Sequence, residues 1–370
     1  MNETGKRIPE LRVEGFIDDW EQRELKEILK VNSGRDYKHL GSGSIPVYGT
    51  GGYMLSVNDK LSDKDAIGIG RKGTIDKPQY LKAPFWTVDT LFFMIPLNNF
   101  DLQFLYTMTQ KINWKKMDES TGVPSLSKAV IEKVNQNIPS YQEQIKIGGF
   151  FKQLDNTIAL HQRKLTLLEQ LKQSYLQLMC PQNKGNIPAL RFAGFSEPWE
   201  QRKIRELFTV TRGQVLAATK TKDKETNNFI YPVYSSQTKN NGLMGFYDQY
   251  LFENAITWTT DGANAGTVNF RKGKFYSTNV NGVLLSDKGF ANKAISEIIN
   301  KIAWKHVSKV GNPKLMNNVM SEITVTIPFV EEQNKLSLLF EQLDDTIDLH
   351  KCMLDKLLEL KLVFLRKMFL

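Results

Sequence analysis

Cysteine is nearly absent: Cys180 and Cys352 are the only two in 370 residues. Far apart, they offer neither a disulfide framework nor a cysteine-rich zinc pattern. Long apolar runs are missing too, since no stretch approaches the roughly 18 residues of a membrane span. The first ten residues, MNETGKRIPE, carry no apolar signal-peptide segment. A soluble, cytoplasmic protein without a membrane partner is the expectation. Histidine is sparse, with His39, His161, His306 and His350 as the whole set, which leaves acid–base catalysis little to draw on. Neither G-x-x-x-x-G-K-[ST], H-E-x-x-H nor G-x-S-x-G occurs. The N/D-P-P-F/Y tetrapeptide used by amino-methyltransferases is missing as well. These absences favour binding over catalysis, and no residue is assigned a catalytic or metal-ligating role.

Positive charge is in excess. Lys and Arg number 49 against 40 Asp and Glu, a net charge of +9. That balance leans toward an acidic partner, nucleic acid first and a membrane surface second. Apolar residues at 41% and charged residues at 24% are ordinary for a globular protein, and the length allows two or three domains.

The chain is written twice. IPELRVEGFIDDWEQRELKEI at Ile8 returns as IPALRFAGFSEPWEQRKIREL at Ile187, and FKQLDNTIALHQRKLTLLEQLK at Phe151 returns as FEQLDDTIDLHKCMLDKLLELK at Phe340. IPVYGTGGY at Ile45 answers YPVYSSQTK at Tyr231, and GVPSLSKAVIEKVNQNIP at Gly122 answers GNPKLMNNVMSEITVTIP at Gly311. Each copy runs in one order: a lead-in ending in W-E-Q-R, a mixed region of short strands and turns, an Ile-Pro at Pro139 or Pro328, and a long helical pattern. The expected segments are 1–141, 142–181, 182–330 and 331–370.

The helical pattern is a heptad seam. Phe151, Leu154, Ile158, His161, Leu165 and Leu168 keep the same register as Phe340, Leu343, Ile347, His350, Leu354 and Leu357. Two helices of roughly 38 residues, each about 57 Å long, are expected to pair antiparallel about a pseudo-twofold axis, bringing His161 toward His350 in a structural role. Further apolar positions lie off the seam: Leu160, Leu167, Leu171 and Leu178 in one helix, Leu349, Leu360, Val363 and Leu365 in the other. A second stripe implies additional helical partners or packing on the globular regions.

Gly68, Gly70 and Gly73 spell G-x-G-x-x-G, yet the residues that follow include Pro78 and Pro84, which forbid the helix a dinucleotide site needs. Matching Gly73-Thr74-Ile75 with Gly266-Thr267-Val268 removes the glycine spacing from the second copy. A turn between strands is expected instead. Loops in both copies collect groups suited to DNA. Tyr48, Thr50, Gly51, Gly52 and Tyr53 form one set, and Tyr234, Ser235, Ser236, Gln237, Lys239 and Asn240 the matching one. Arg71, Lys72, Lys77, Arg271 and Lys272 can neutralise phosphates, while Thr259, Thr260 and Asn264 can exchange hydrogen bonds with base edges.

The paired F-x-x-x-W-E-Q-R-[EK] lead-ins at Phe16 and Phe195, and the paired F-x-Q-L-D-[ND]-T-I-x-L-H helices, resemble the specificity subunit of type I restriction-modification systems over the whole length. The resemblance implies an α+β fold: two tandem-duplicated mixed α/β target recognition domains, separated and joined by two long helices in an antiparallel coiled coil. It implies that each domain reads one half of a bipartite double-stranded DNA site and that the helices set the spacer. Two methyltransferase subunits dock on the chain in such systems, restriction subunits join through the complex, and the system serves host defence. S-adenosylmethionine, ATP and Mg are used by those partner subunits, so this chain is expected to bind no cofactor and catalyse nothing. Two other readings stand beside it: a self-contained DNA methyltransferase or nuclease with an unrecognised site, and a coiled-coil interaction protein without a nucleic-acid role.

Overall fold

The computed structural model describes residues 7–182, 185–236 and 239–370. It divides into two compact units, Met1–Arg163 with Cys352–Leu370, and Lys164–Lys351. Each unit combines one globular copy with a part of each long helix.

In the first unit the W-E-Q-R lead-in and the segment before Pro139 close on each other. Trp20 is buried, and Glu21–Glu24 pairs antiparallel with Asn135–Ile138, Glu21 opposite Ile138. Between these ends lies a four-stranded sheet in the order Leu29–Ser33, Leu91–Pro96, Ala66–Gly70, Gln79–Leu81. A three-stranded sheet, Gly52–Val57, Ser42–Gly49, Trp86–Thr87, continues the same domain. Helix Leu102–Lys111 starts where the Asp101 side chain accepts the Phe104 N–H. Its Phe104, Leu105 and Met108 join Ile67, Ile69, Met94, Trp20 and Phe151 in one core.

The second unit repeats the plan with one difference. Glu200–Lys203 pairs with Thr324–Ile327 as before. The two sheets are here a single six-stranded one, in the order Thr209–Arg212, Asn281–Leu285, Phe252–Thr259, Val268–Ser277, Tyr231–Tyr234, Leu243–Tyr247. Strand Val268–Ser277 runs where the first unit has the separate strands Gln79–Leu81 and Trp86–Thr87. Pro84 interrupts the first copy, because proline cannot donate to the ladder. The second copy bends at Gly273, whose φ of +71° suits glycine.

The ladder also corrects one expected correspondence. The Gly73 N–H donates to Pro124 and the Gly262 N–H to Pro313, while Leu126 donates to Arg71 and Leu315 to Thr260. Gly73 therefore matches Gly262, with φ of +95° and +88°, and not Gly266. The shared G-T-[IV] triplets are a coincidence of composition. Gly68 and Gly70 lie inside a buried strand, and a Cβ on Gly70 would sit 2.0 Å from the Thr74 carbonyl oxygen. Close backbone packing, not phosphate binding, accounts for that glycine.

The long helices span Tyr141–Leu178 and Val330–Lys367, 38 residues each. Within each unit they run antiparallel. In the first, Phe150 meets Phe364 edge-on at 4.9 Å and Asp155 receives Lys361 at 2.7 Å. In the second, Lys351 reaches Glu169 at 3.3 Å and Lys172 reaches Asp344 at 2.6 Å. The Lys–Asp lock is thus built twice from matching positions of the two helices. Phe151, Leu154, Ile158, Phe340, Leu343, Ile347 and His350 are buried along the seam; His161, Leu165, Leu168, Leu354 and Leu357 are half-buried. Off the seam, Leu160, Leu167, Leu171, Leu178, Leu349 and Leu360 are exposed. Leu365 departs from the expected outer stripe: it is buried in the first unit's core, and Val363 is half-buried. The reason is the chain's last turn, where Phe369 packs on Trp20 and Phe104 and turns that face inward. No helix among the described residues is long and apolar enough to cross a membrane.

A buried ion pair ties each lead-in to its long helix. Arg12 Nε and Nη2 donate to the two Glu143 carboxylate oxygens at 2.9 Å. Arg191 does the same to Glu332 at 2.8 Å, and the Trp199 indole N–H adds a third bond at 3.1 Å. Glu332 is only 1% exposed. Replacing Arg191 with alanine leaves that carboxylate buried and without its cation, so Arg191→Ala should destabilise the second unit by about 3–5 kcal/mol, read from urea unfolding against the wild type.

Candidate nucleic-acid interface

In the first unit several turns gather around the sheet edge. The Arg71 N–H donates to the Thr90 carbonyl, the Val88 N–H to Tyr48, and the Arg35 N–H to Thr87. The Gln79 amide donates to the carbonyls of Gly49 and Thr50. These bonds bring turns 34–38, 49–53, 71–74 and 88–90 together. Thr50, Gly51, Gly52 and Tyr53 line a cleft of about 620 Å³ with Asp36, Lys38 and Asp89. Tyr53 is exposed and meets Tyr48 edge-on at 6.4 Å. Arg71 and Lys72 are exposed and line a neighbouring cleft of about 800 Å³ with Ser120, Thr121 and Lys128. Lys77 is exposed two residues before Gln79.

In the second unit the equivalent turns meet in the same way. The Gly213 N–H donates to Asn281, the Thr278 N–H to Tyr234, the Thr260 N–H to Val280 and the Ser235 N–H to Gly242. Ser235, Thr259 and Asn264 line one recess of about 160 Å³ together with Asn241, Thr267 and Asn269. The Asn264 amide donates to the Ser236 carbonyl at 3.2 Å. Asn240 is exposed with a φ of +50°. Gln237 lies outside the described residues, as does the side chain of Lys239.

Four expected contacts sit elsewhere than a free loop surface. Thr259 is buried at the end of strand Phe252–Thr259. Thr260 is 1% exposed, and its hydroxyl bonds the Asp261 carboxylate and the Val280 carbonyl, so it serves the turn and not a base edge. Lys272 points to the second long helix, pairing with Glu341 at 3.2 Å. Arg271 lies within strand Val268–Ser277 and is buried. Residue type alone suggested these positions; for Arg271 and Lys272 strand register decides where the side chain goes, since alternate residues face opposite sides.

Asp36 and Asp89, which put carboxylates beside the basic groups, and Asn241, Thr267 and Asn269 were not expected from the sequence. A carboxylate in such a cleft can accept from a cytosine amino group. Gly34 and Gly213 were a usable signal, because both copies place a glycine just after the first sheet strand. A Cβ there would sit 2.0 Å from the Val88 carbonyl oxygen in one and 2.1 Å from that of Ser277 in the other.

The family model described as the type I restriction modification DNA specificity domain matches twice, over residues 17–170 and 196–359. The chain belongs to this specificity family. A Mycoplasma pneumoniae protein named as a type I specificity subunit is 29% identical over 226 residues, 60% of this chain and 80% of its own length. The specificity subunit of the type I restriction enzyme MpnII, from the same organism, is 32% identical over 158 residues, 42% of this chain and 46% of its own. The crystal structure of a type I restriction-modification S subunit from M. genitalium shares the fold of the specificity chain, with a TM-score of 0.76, 15% identity, and coverage of 98% of this chain and 99% of that one.

The turn glycines give this specificity chain a measurable constraint. Gly213→Ala forces a methyl group into two backbone carbonyls and should cost about 1–3 kcal/mol in urea unfolding. Gly51→Ala, with nothing within 4 Å of its Cβ position, should leave unfolding unchanged.

Proposed function

We propose that this chain is the non-catalytic specificity subunit of a type I restriction-modification complex, in which each unit reads one half of a bipartite double-stranded DNA target. One observation carries the reading: the same turn-bearing strand scaffold is built twice, as two sheets in the first unit and one in the second, and matching turns hold different chemistry. Tyr53, Arg71, Lys72 and Asp89 face one cleft system; Ser235, Thr259, Asn264 and Asn269 face the other. Two modules with one scaffold and two sets of donors and acceptors are what reading two unlike half-sites requires. Exposed Arg and Lys supply sequence-independent, salt-dependent attraction.

The long helices set the spacer between half-sites, because rigid separation of modules defines half-site spacing on a duplex of roughly 34 Å per turn. The exposed leucines along both helices are the docking face for two methyltransferase subunits, through which restriction subunits join. Those partners bring S-adenosylmethionine, ATP and Mg; this chain binds none of them and works in the cytoplasm.

Deleting the gene from its source cell should erase adenine methylation at one bipartite motif in a genome-wide methylation map. Replacing residues 20–139 with the corresponding domain of another family member should then change one half of that motif and keep the other; a change in both halves would refute the modular reading. Inserting four residues after Lys164 rotates and lengthens the helix by about one turn, and should alter the spacer or abolish methylation. An unchanged spacer at full activity would remove the ruler role.

A further inference from the structure

Arg271 is the most unusual side chain in the second unit. It is 6% exposed, yet among the described residues no carboxylate pairs with it. Its Nε donates to the Thr257 hydroxyl at 3.1 Å, and its guanidinium carbon lies 3.8 Å from the centre of the Tyr234 ring. These contacts hold the group but do not neutralise it. A buried charge without a counter-charge is costly. Burial pushes the guanidinium pKa down to about 10, which still leaves it charged at neutral pH.

The first unit shows that the fold does not need this arginine. Leu81 stands at the matching position, opposite Ala66 as Arg271 is opposite Ala255. Gly68 matches Thr257, and Leu81 fills the space that a side chain on Gly68 would take. One copy therefore solves the position with an apolar pair and the other with a cation and a hydroxyl. The cation faces the recess of about 160 Å³ whose other lining groups include Ser235, Thr259, Asn264, Thr267 and Asn269. Every one of these side chains is an uncharged hydroxyl or amide able to donate a hydrogen bond. On the recess side the fixed guanidinium meets only neutral groups, which is chemistry for an anion; Glu297, Glu341 and Asp344 line the larger cleft that Arg271 also borders, and there they pair with Lys172, Lys272 and Lys293. Held by Tyr234 and Thr257, it cannot extend into a groove to reach a base edge; the ligand has to come to it.

We propose that Arg271 and its recess form a receptor for one backbone phosphate of the DNA, present in the second unit and replaced by Leu81 in the first. The inference rests on the DNA-reading function proposed above and adds an asymmetry to it. The second unit is anchored on its half-site by a recessed phosphate contact, and the first relies on surface cations such as Arg71 and Lys72.

The test uses the chain assembled with its methyltransferase subunits and a duplex carrying the motif from the methylation map. Methylphosphonate replaces one phosphate at a time. The wild-type complex should lose about tenfold or more in affinity at one phosphate in the second unit's half-site. The double variant Arg271→Leu with Thr257→Gly copies the first unit's own solution. It should keep its unfolding midpoint, bind all duplexes about tenfold more weakly, lose sensitivity at that one phosphate and lower the salt slope by about one. Arg271→Gln serves as a second, more conservative variant with the same expectation. Unchanged affinity and salt slope in both variants would overturn the proposal. So would relaxed preference at a single base pair with no phosphate-specific loss, which is the signature of base reading. A wild-type complex that binds no duplex would overturn the DNA reading itself, and the receptor with it.

Discussion

A carboxylate buried at the start of each long helix constrains everything around it. Glu143 and Glu332 are out of water and must be paired. Their arginines come from the lead-in segment, far away in sequence, so lead-in and helix have to meet in one geometry. The next residue repeats the demand. Gln144 and Gln333 donate to the carbonyls of Pro139 and Pro328. They also accept from the Asp101 backbone N–H and the Asn292 side chain, the N-cap residues of helices Leu102–Lys111 and Lys293–Ala303. Four elements of each unit are therefore tied to one Glu-Gln dipeptide. Apolar burial is non-directional and would let the helix leave at several angles. Hydrogen bonds with fixed geometry select one direction for the helix within each unit.

The seam follows the same logic. Phe, Leu and Ile side chains supply the driving force for pairing, but an apolar stripe tolerates slippage by a heptad. The Lys361–Asp155 and Lys172–Asp344 pairs oppose it, since a shifted register would leave half-buried charges unpaired. In the second unit Lys293 and Glu297 join the lock. Burial alone would raise the Asp344 carboxyl, yet the two ammonium groups outweigh it and hold that carboxyl below its usual range. The leucines left exposed on the outer faces are separate from this seam, which is why the helices retain apolar surface after pairing.

The duplication, the helices and their seam were legible because each rests on spacing, and spacing survives in a one-dimensional string. Trp20 and Trp199 were visible as repeated residues, although the pairing of their W-E-Q-R strands with the segments before Pro139 and Pro328 was not. Arg12 and Glu143 were printed in both copies of the repeat without suggesting each other, since 131 positions separate them. The interface was harder. Exposed Tyr53, Arg71 and Lys72 can be picked from residue type and turn context. Thr260 and Arg271 were picked the same way and are buried, Thr260 because its hydroxyl closes the turn onto Val280 and Arg271 because the register of a bent strand, which decides its face, cannot be read from composition. The Gly73–Gly262 correspondence was lost to a chance triplet for the same reason: only hydrogen bonds define equivalence where side chains diverge.

That divergence reaches into the sheet. The lead-ins, the Glu-Gln dipeptides and the seams are nearly the same in both copies, while Gly68 with Leu81 becomes Thr257 with Arg271. Exchanging one residue alone leaves either pair incomplete. Arginine against Gly68 would lack the hydroxyl that holds its Nε, and leucine against Thr257 would meet a side chain where the first unit has none. A sheet interior that accepts either pair as a set lets the chemistry at the turns change while the frame stays constant. The boundary between what varies and what is kept thus runs through the sheet itself, one strand deeper than the loops.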